Sequence, residues 1–103
     1  MTFVRIWRYA VDQPRREAFE RAYGPDGDWA RLFARQDGFV GTELLAGSAA
    51  SDAVLTYATL DRWRDETDWR QFLKAHGEAY KALDLECEKL TVEEAEVGDF
   101  VTA

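Results

Sequence analysis

The sequence predicts an α+β fold in which two helical segments cover one face of a four-stranded antiparallel sheet. Two segments, residues 3–11 and 54–63, are apolar on both faces of a strand; in the first, Trp7 and Tyr9 occupy one parity and Ile6 the other. A strand with one face in water alternates apolar and polar residues, so this sheet needs a cover on both faces. Helical apolar spacing occurs between these strands and again after the second.

The first strand, residues 3–11, leads into a helix predicted over residues 15–23. Asp12 is predicted to cap this helix, and Pro14 falls near its first turn, where a proline is tolerated. The motif Gly24-Pro25-Asp26-Gly27 interrupts the helix, because proline lacks a backbone donor and glycine favours turns. This motif is either an ordinary interruption or a pocket lid. Helical spacing resumes at Trp29, Leu32 and Phe33 and ends at Asp37-Gly38.

The middle of the chain predicts a hairpin. Residues 39–45 form the second strand, residues 46–52 are small and polar enough to connect, and residues 54–63 form the third strand. The second and third strands are therefore predicted to be antiparallel neighbours.

A long helical region and a weak strand complete the chain. From Asp65 to Leu90 the apolar residues recur at helical spacing, with a bend predicted near Gly77. The final strand, residues 91–100, is acidic, and this favours an edge of the sheet.

The resulting order, β-α-β-β-α-β, predicts a ferredoxin-like arrangement in one domain covering residues 1–103. Both helical segments then lie on one face of the sheet. The other apolar face is predicted to meet a second copy of the chain, because large bare apolar patches are uncommon on monomers. We therefore expect a homodimer built as a dimeric α/β barrel.

Composition narrows the classes of partner and site. Thirteen basic against twenty acidic residues give a net charge of −7, which disfavours nucleic acid and anionic membrane surfaces as partners. No apolar run approaches the roughly 20 residues of a membrane span, and we expect a cytoplasmic protein. Cys87 and His76 are the only residues of their types, so we expect no intrachain disulfide and no metal site.

His76 is the first candidate for chemistry, because imidazole titrates near neutral pH and its helical stripe faces the sheet. The alternative is a packed imidazole that is hydrogen-bonded to a tyrosine or a carbonyl.

Three arginines, Arg5, Arg8 and Arg62, lie within predicted strands, and one of them could hold a phenolate or carboxylate of a ligand. The alternative is that such an arginine reaches solvent or pairs with a glutamate such as Glu43 or Glu94.

Aromatic side chains are the candidate walls of a binding site for an aromatic ligand. The alternative is a plain aromatic core, and the pattern leaves open which strand parity faces the helices. The candidates are Trp7, Tyr9, Trp29, Phe33, Tyr57, Trp69, Phe72 and Tyr80.

Four segments carry a resemblance to a known family: residues 4–9, residues 39–45, residues 61–63 leading into 68–72, and residues 75–80. In these the chain resembles the antibiotic biosynthesis monooxygenase superfamily of dimeric α+β barrels. The resemblance implies a cofactor-independent monooxygenase acting on an aromatic or polyketide-like molecule. On this hypothesis His76 is the base, Arg8 the oxyanion partner, and no cofactor is needed.

Two alternatives remain open at this stage. The same scaffold resembles haem-degrading proteins, whose triad is a strand Asn, a helix Trp and a helix His. This chain contains no asparagine, and His76 lies closer to Trp69 in the sequence than the spacing of that family would place it. The other alternative is a non-catalytic dimer that binds a metabolite or has a structural role. A filled space between sheet and helices would favour this last hypothesis.

Overall fold

A computed structural model describes residues 1–48 and 53–103; residues 49–52 of the predicted hairpin connection lie outside the described residues. Short 3-10 turns span Gln13–Arg15 and Glu88–Leu90. None of the described helices is long and apolar enough to cross a membrane. The elements are β1 (Phe3–Asp12), α1 (Arg16–Tyr23), α2 (Asp28–Phe33), β2 (Phe39–Ala46), β3 (Val54–Trp63), α3 (Glu66–Cys87) and β4 (Glu93–Val101).

The four strands form one antiparallel sheet in the order β2-β3-β1-β4. This order confirms the predicted ferredoxin-like fold, the pairing of β2 with β3, and the edge position of β4. The register places Asp61 of β3 opposite Arg5 of β1 on one side and Thr42 of β2 on the other. Three strands therefore bring one carboxyl, one guanidinium and one hydroxyl group together in the middle of the sheet.

The odd-numbered residues of β1 and β3 face the helices, which settles the parity that the sequence left open. Tyr9 and Val11 of β1 are buried in one cluster with aromatic side chains of α1, α2 and α3. At the base of this cluster Trp63 is fully buried, and its ring meets those of Trp69 and Phe72 at 5.5 Å. The helices thus supply the cover that this face needs.

Two helix details differ from the sequence prediction. Asp12 stands at the start of the first helical turn, but its carboxylate accepts a bond from Arg15 Nη1 (2.7 Å) and caps no backbone N–H. The bend in α3 is centred on His76 (φ −127°, ψ 21°), one residue before Gly77. The α3 start is capped, because Asp65 Oδ1 accepts the N–H of Asp68 at 2.9 Å.

Gly38 joins α2 to β2 in a conformation that favours glycine, with φ +94°. A Cβ at this position would collide with the carboxylate of Asp68. Asp68 is buried and held by two bonds from Arg64, at 2.8 Å from Nε and 2.9 Å from Nη2. The turn, the ion pair and the start of α3 are therefore locked together beneath the aromatic core.

The opposite face of the sheet is apolar, and the described helices do not lie on it. Val4, Ile6 and Leu60 are on this face, with Leu60 directly opposite Ile6. Phe100 remains 48% exposed and Leu45 44% exposed. This is the face for which a second copy of the chain was predicted.

Candidate functional site

A cavity of about 50 Å³ lies between the helix-facing side of the sheet and the helices. Its walls are mainly aromatic. Six rings line it: Trp7, Tyr9, Tyr23, Trp29, Phe33 and Tyr80. Such a lining suits a flat aromatic ligand or a cation, which ring faces attract.

Five of the eight aromatic candidates line this cavity, namely Trp7, Tyr9, Trp29, Phe33 and Tyr80. The other three are not among its lining residues. Tyr57 donates a hydrogen bond to Glu20 Oε2 (2.5 Å), and Trp69 stacks on Phe72 with ring centroids 5.7 Å apart. These three rings pack in the core beside the cavity.

The two residues predicted to be catalytic are not at this cavity. His76 lies at the bend of α3 beside a surface groove, with its ring 5.5 Å from that of Phe72. Arg8 is exposed and has the even parity of β1, so it lies on the other face of the sheet. Neither His76 nor Arg8 is therefore among the residues that line the aromatic cavity, although the groove beside His76 shares Tyr80 with it.

Asp61 of β3 is one of the carboxylates that line the cavity. Its Oδ1 accepts a hydrogen bond from Thr42 Oγ1 at 2.7 Å. Burial raises the pKa of Asp61 to about 6, and this outweighs the Thr42 bond and the charge of Arg5, which both lower it. A carboxyl with such a pKa is a carboxylate at neutral pH but holds a proton more readily than an exposed aspartate, as a general base requires.

Arg5 brings the one positive charge among the cavity-lining side chains, and it is held in place from several directions. Its side chain is only 12% exposed, and its guanidinium lies 4.2 Å from the centre of the Trp69 ring. Arg5 Nε donates to Asp99 Oδ1 at 3.0 Å, and Nη2 lies 3.8 Å from Glu96. Its charge is thus shared with two carboxylates of the edge strand.

Among the other strand arginines, Arg62 pairs with Glu43 at 3.0 Å, as predicted.

Neutral hydroxyl groups complete the wall. The Tyr9 hydroxyl and Thr59 Oγ1 are hydrogen-bonded at 3.0 Å. Burial raises the pKa of Tyr9, and it does the same for Tyr23 and Tyr80. All three phenols therefore keep their protons at neutral pH and can donate hydrogen bonds.

Two carboxylates mark the point where the cavity meets solvent. Asp84 of α3 and Glu94 of β4 are lining residues that remain exposed. Partial desolvation at the cavity wall, together with the charge of Asp84, raises the pKa of Glu94. Within residues 1–48 and 53–103, neither carboxylate forms an ion pair with lysine or arginine.

Sequence reasoning missed Asp61, Thr42 and Thr59 as site residues. A usable signal was present, because Asp61 shares its strand parity with Tyr57 and Trp63. A carboxylate on an otherwise aromatic face is costly to bury, and such a position is a functional candidate.

Comparison with known proteins identifies the fold. No family model matches the chain, and no curated protein matches it. Among solved structures, a mutant of SnoaB, a cofactor-independent oxygenase from Streptomyces nogalater, matches with a TM-score of 0.64 and 25% identity, covering 98% of this chain and 92% of that one. The chain has the fold of the antibiotic biosynthesis monooxygenase superfamily.

Further structures with this antibiotic biosynthesis monooxygenase fold match at lower identity. A protein from Bacillus cereus, described as a candidate monooxygenase of this kind, has a TM-score of 0.70 at 12% identity, covering 99% of this chain and 94% of that one. A similarly described protein from Nitrosomonas europaea has a TM-score of 0.68 at 15% identity, with coverage of 98% and 89%. At these identities the likeness concerns the fold, and it confirms the resemblance that the sequence predicted.

Proposed function

We propose that this protein is a cofactor-independent monooxygenase that acts on an activated aromatic or polyketide-like molecule. The observation that carries the proposal is Asp61, a carboxylate with a pKa near 6 in the wall of an aromatic cavity. The likeness to SnoaB, itself a cofactor-independent oxygenase, supports the same class of reaction. In this proposal Asp61 replaces His76 as the base, because Asp61 lines the cavity.

The first step of the proposed reaction is removal of a proton. The Asp61 carboxylate takes a proton from an acidic C–H that lies next to a carbonyl or phenol of the substrate, leaving a delocalised carbanion. The Tyr9 hydroxyl, which keeps its proton, donates a hydrogen bond to the oxygen on which that charge collects. The total charge in the cavity is unchanged, since the proton moves from substrate to Asp61.

Dioxygen is the oxidant in the steps that follow. One electron passes from the carbanion to dioxygen, and the radical and superoxide combine to form a C–O bond. The resulting peroxide takes the proton back from Asp61. Asp61 then takes the second C–H proton, and the ketone forms as the O–O bond breaks. The hydroxide that leaves takes this proton from Asp61 and becomes water, so Asp61 is again a carboxylate. The balance is CH₂ plus O₂ giving C=O plus H₂O.

The small size of the cavity favours a second candidate function. A volume of about 50 Å³ is well below the roughly 300–1,000 Å³ of small-molecule sites. Side chains fill most of the space between the sheet and the helices, which is what we expect of a non-catalytic or structural dimer. The monooxygenase proposal therefore requires a wall to move, and Tyr80, which follows the bend at His76 in α3, is the wall residue placed to do so.

Oxygen uptake with anthrone as the substrate distinguishes the two functions. We expect the protein at neutral pH to consume one dioxygen per anthrone and to form anthraquinone about tenfold or more faster than buffer alone. Heat-denatured protein and an anaerobic sample are the controls. Uptake no faster than in buffer would contradict the monooxygenase proposal and favour the non-catalytic dimer.

We also propose that two copies of the chain associate through the apolar face that carries Ile6, Leu60 and Phe100. Ile6 and Leu60 are paired at the middle of β1 and β3, and Phe100 of β4 is paired with Val4 of β1. Burial of apolar area stabilises such an association by about 25 cal/mol per Å². A two-fold contact of this kind uses the same patch on both copies.

Leu60→Lys is expected to convert a two-chain particle into single chains, because it places a charge at the centre of the contact. Light scattering coupled to size exclusion measures the mass. Leu85→Lys is the matched control, because Leu85 is 69% exposed on α3, away from this face. A wild-type protein that runs as a single chain would overturn the dimer proposal.

A further inference from the structure

Charge is distributed unevenly around the aromatic cavity. Its lining holds three carboxylates, Asp61, Asp84 and Glu94, against the single positive charge of Arg5. Arg5 already bonds Asp99 and lies near Glu96. The electrostatic environment offered to a ligand is therefore negative, and a ligand carboxylate would meet repulsion that no free cation of the lining offsets.

Aromatic rings strengthen the preference of the cavity for a positively charged ligand over a negatively charged one. Trp29 and Tyr80 meet edge to face at 5.2 Å, and Tyr23 lies 6.1 Å from Trp29 by ring centroids. The faces of Trp and Tyr rings attract ammonium groups, and nearby carboxylates add to that attraction. Asp84 and Glu94 stand at the solvent-facing end of the same cavity, where they repel each other. A cation between them would relieve that repulsion.

We propose that the site takes aromatic ligands that are neutral or carry a protonated amine, and that Asp84 and Glu94 select the amine-bearing ones over carboxylates. This inference rests on the proposed function for the identity of the site. The ring system of the ligand sits against the aromatic walls, and its amine lies at the mouth between α3 and β4. A neutral phenol remains acceptable, because proton transfer to Asp61 leaves the charge of the cavity unchanged.

Three matched probes test the selection: 2-naphthol, its 6-aminomethyl derivative, and 6-hydroxy-2-naphthoate. Binding is measured by titration calorimetry without any requirement for turnover. We expect the amine to bind about tenfold or more tightly than the carboxylate, with 2-naphthol between them. Added salt should reduce the difference, because the mouth is open to solvent.

Asp84→Asn/Glu94→Gln is expected to bring the amine and carboxylate affinities within about threefold of each other. Glu17→Gln/Glu78→Gln is the control, because it changes net charge equally at exposed helix positions outside the cavity lining and should leave the order intact. Equal or tighter binding of the carboxylate, an order that survives the mouth double variant, or binding of no probe would overturn the inference. Oxygen uptake without the expected order of affinities would refute only the proposed selection of amines. The expected order of affinities without oxygen uptake would refute only the monooxygenase proposal.

Discussion

Asp61→Asn is expected to lower the rate of oxygen uptake by about 10²–10⁴-fold, the range typical of loss of a positioned general base. Asparagine keeps the size of the side chain and can still accept the hydrogen bond from Thr42 Oγ1. It has no basic oxygen to take a proton. The loss would therefore reflect chemistry rather than a change in the shape of the wall.

The pH dependence of the wild-type rate gives this prediction a second test. Because only the ionised carboxylate acts as a base, the rate should rise with pH and reach half its plateau near the Asp61 pKa of about 6. Initial rates between about pH 5 and pH 8 measure it. Asp26→Asn, at an exposed loop carboxylate, is the control and should keep the wild-type profile. A flat profile, or full activity in Asp61→Asn, would contradict the assigned role.

Asp61→Asn is also expected to raise the free energy of unfolding, by about 3 kcal/mol near pH 8. The pKa of Asp61 rises from 3.8 to about 6 on folding, and one pKa unit corresponds to about 1.4 kcal/mol. Since the folded chain binds this proton more tightly, its stability falls as pH rises from about 4 through about 6. The neutral asparagine escapes that loss.

Denaturant titration of both proteins at several pH values measures this difference. The two should be nearly equal in stability below about pH 4, and they should diverge across the window from about pH 4 to pH 6. A variant less stable than wild type at pH 8 would mean that Arg5 and Thr42 compensate the buried charge fully. Together, lost activity and gained stability would mark Asp61 as a residue kept for function.

Much of the fold was predictable, because the two strands with apolar residues on both faces needed two covers. The third strand was predicted with the bounds that the structure has, Val54–Trp63. The parity of β1 was not predictable, because both of its faces are apolar and only contact with α1 and α2 distinguishes Tyr9 from Ile6. The bend was predicted at Gly77, one residue after its observed centre at His76. A glycine weakens a helix but does not determine which residue leaves the helical conformation.

The site was less predictable than the fold. Periodicity identified Trp7, Tyr9, Trp29, Phe33 and Tyr80 as possible walls, and all five line the cavity. Strand parity placed Asp61 with Tyr57 and Trp63, but it could not give the raised pKa of Asp61, which depends on burial and on Thr42 and Arg5 from two other strands. That environment arises from strand register, which brings together residues 19 and 56 positions away in the sequence. His76 was a sequence-based candidate because it is the one histidine, yet it lines a surface groove and is not among the residues that line the cavity.

Oxygen uptake by Asp61→Asn and by His76→Ala, with the same anthrone substrate at about pH 7.5, distinguishes the two candidate bases. We expect Asp61→Asn to lose about 99% or more of the activity, whereas His76→Ala should retain it within about threefold. Activity that is lost in His76→Ala and kept in Asp61→Asn would refute the role of Asp61 and return the catalytic role to the histidine.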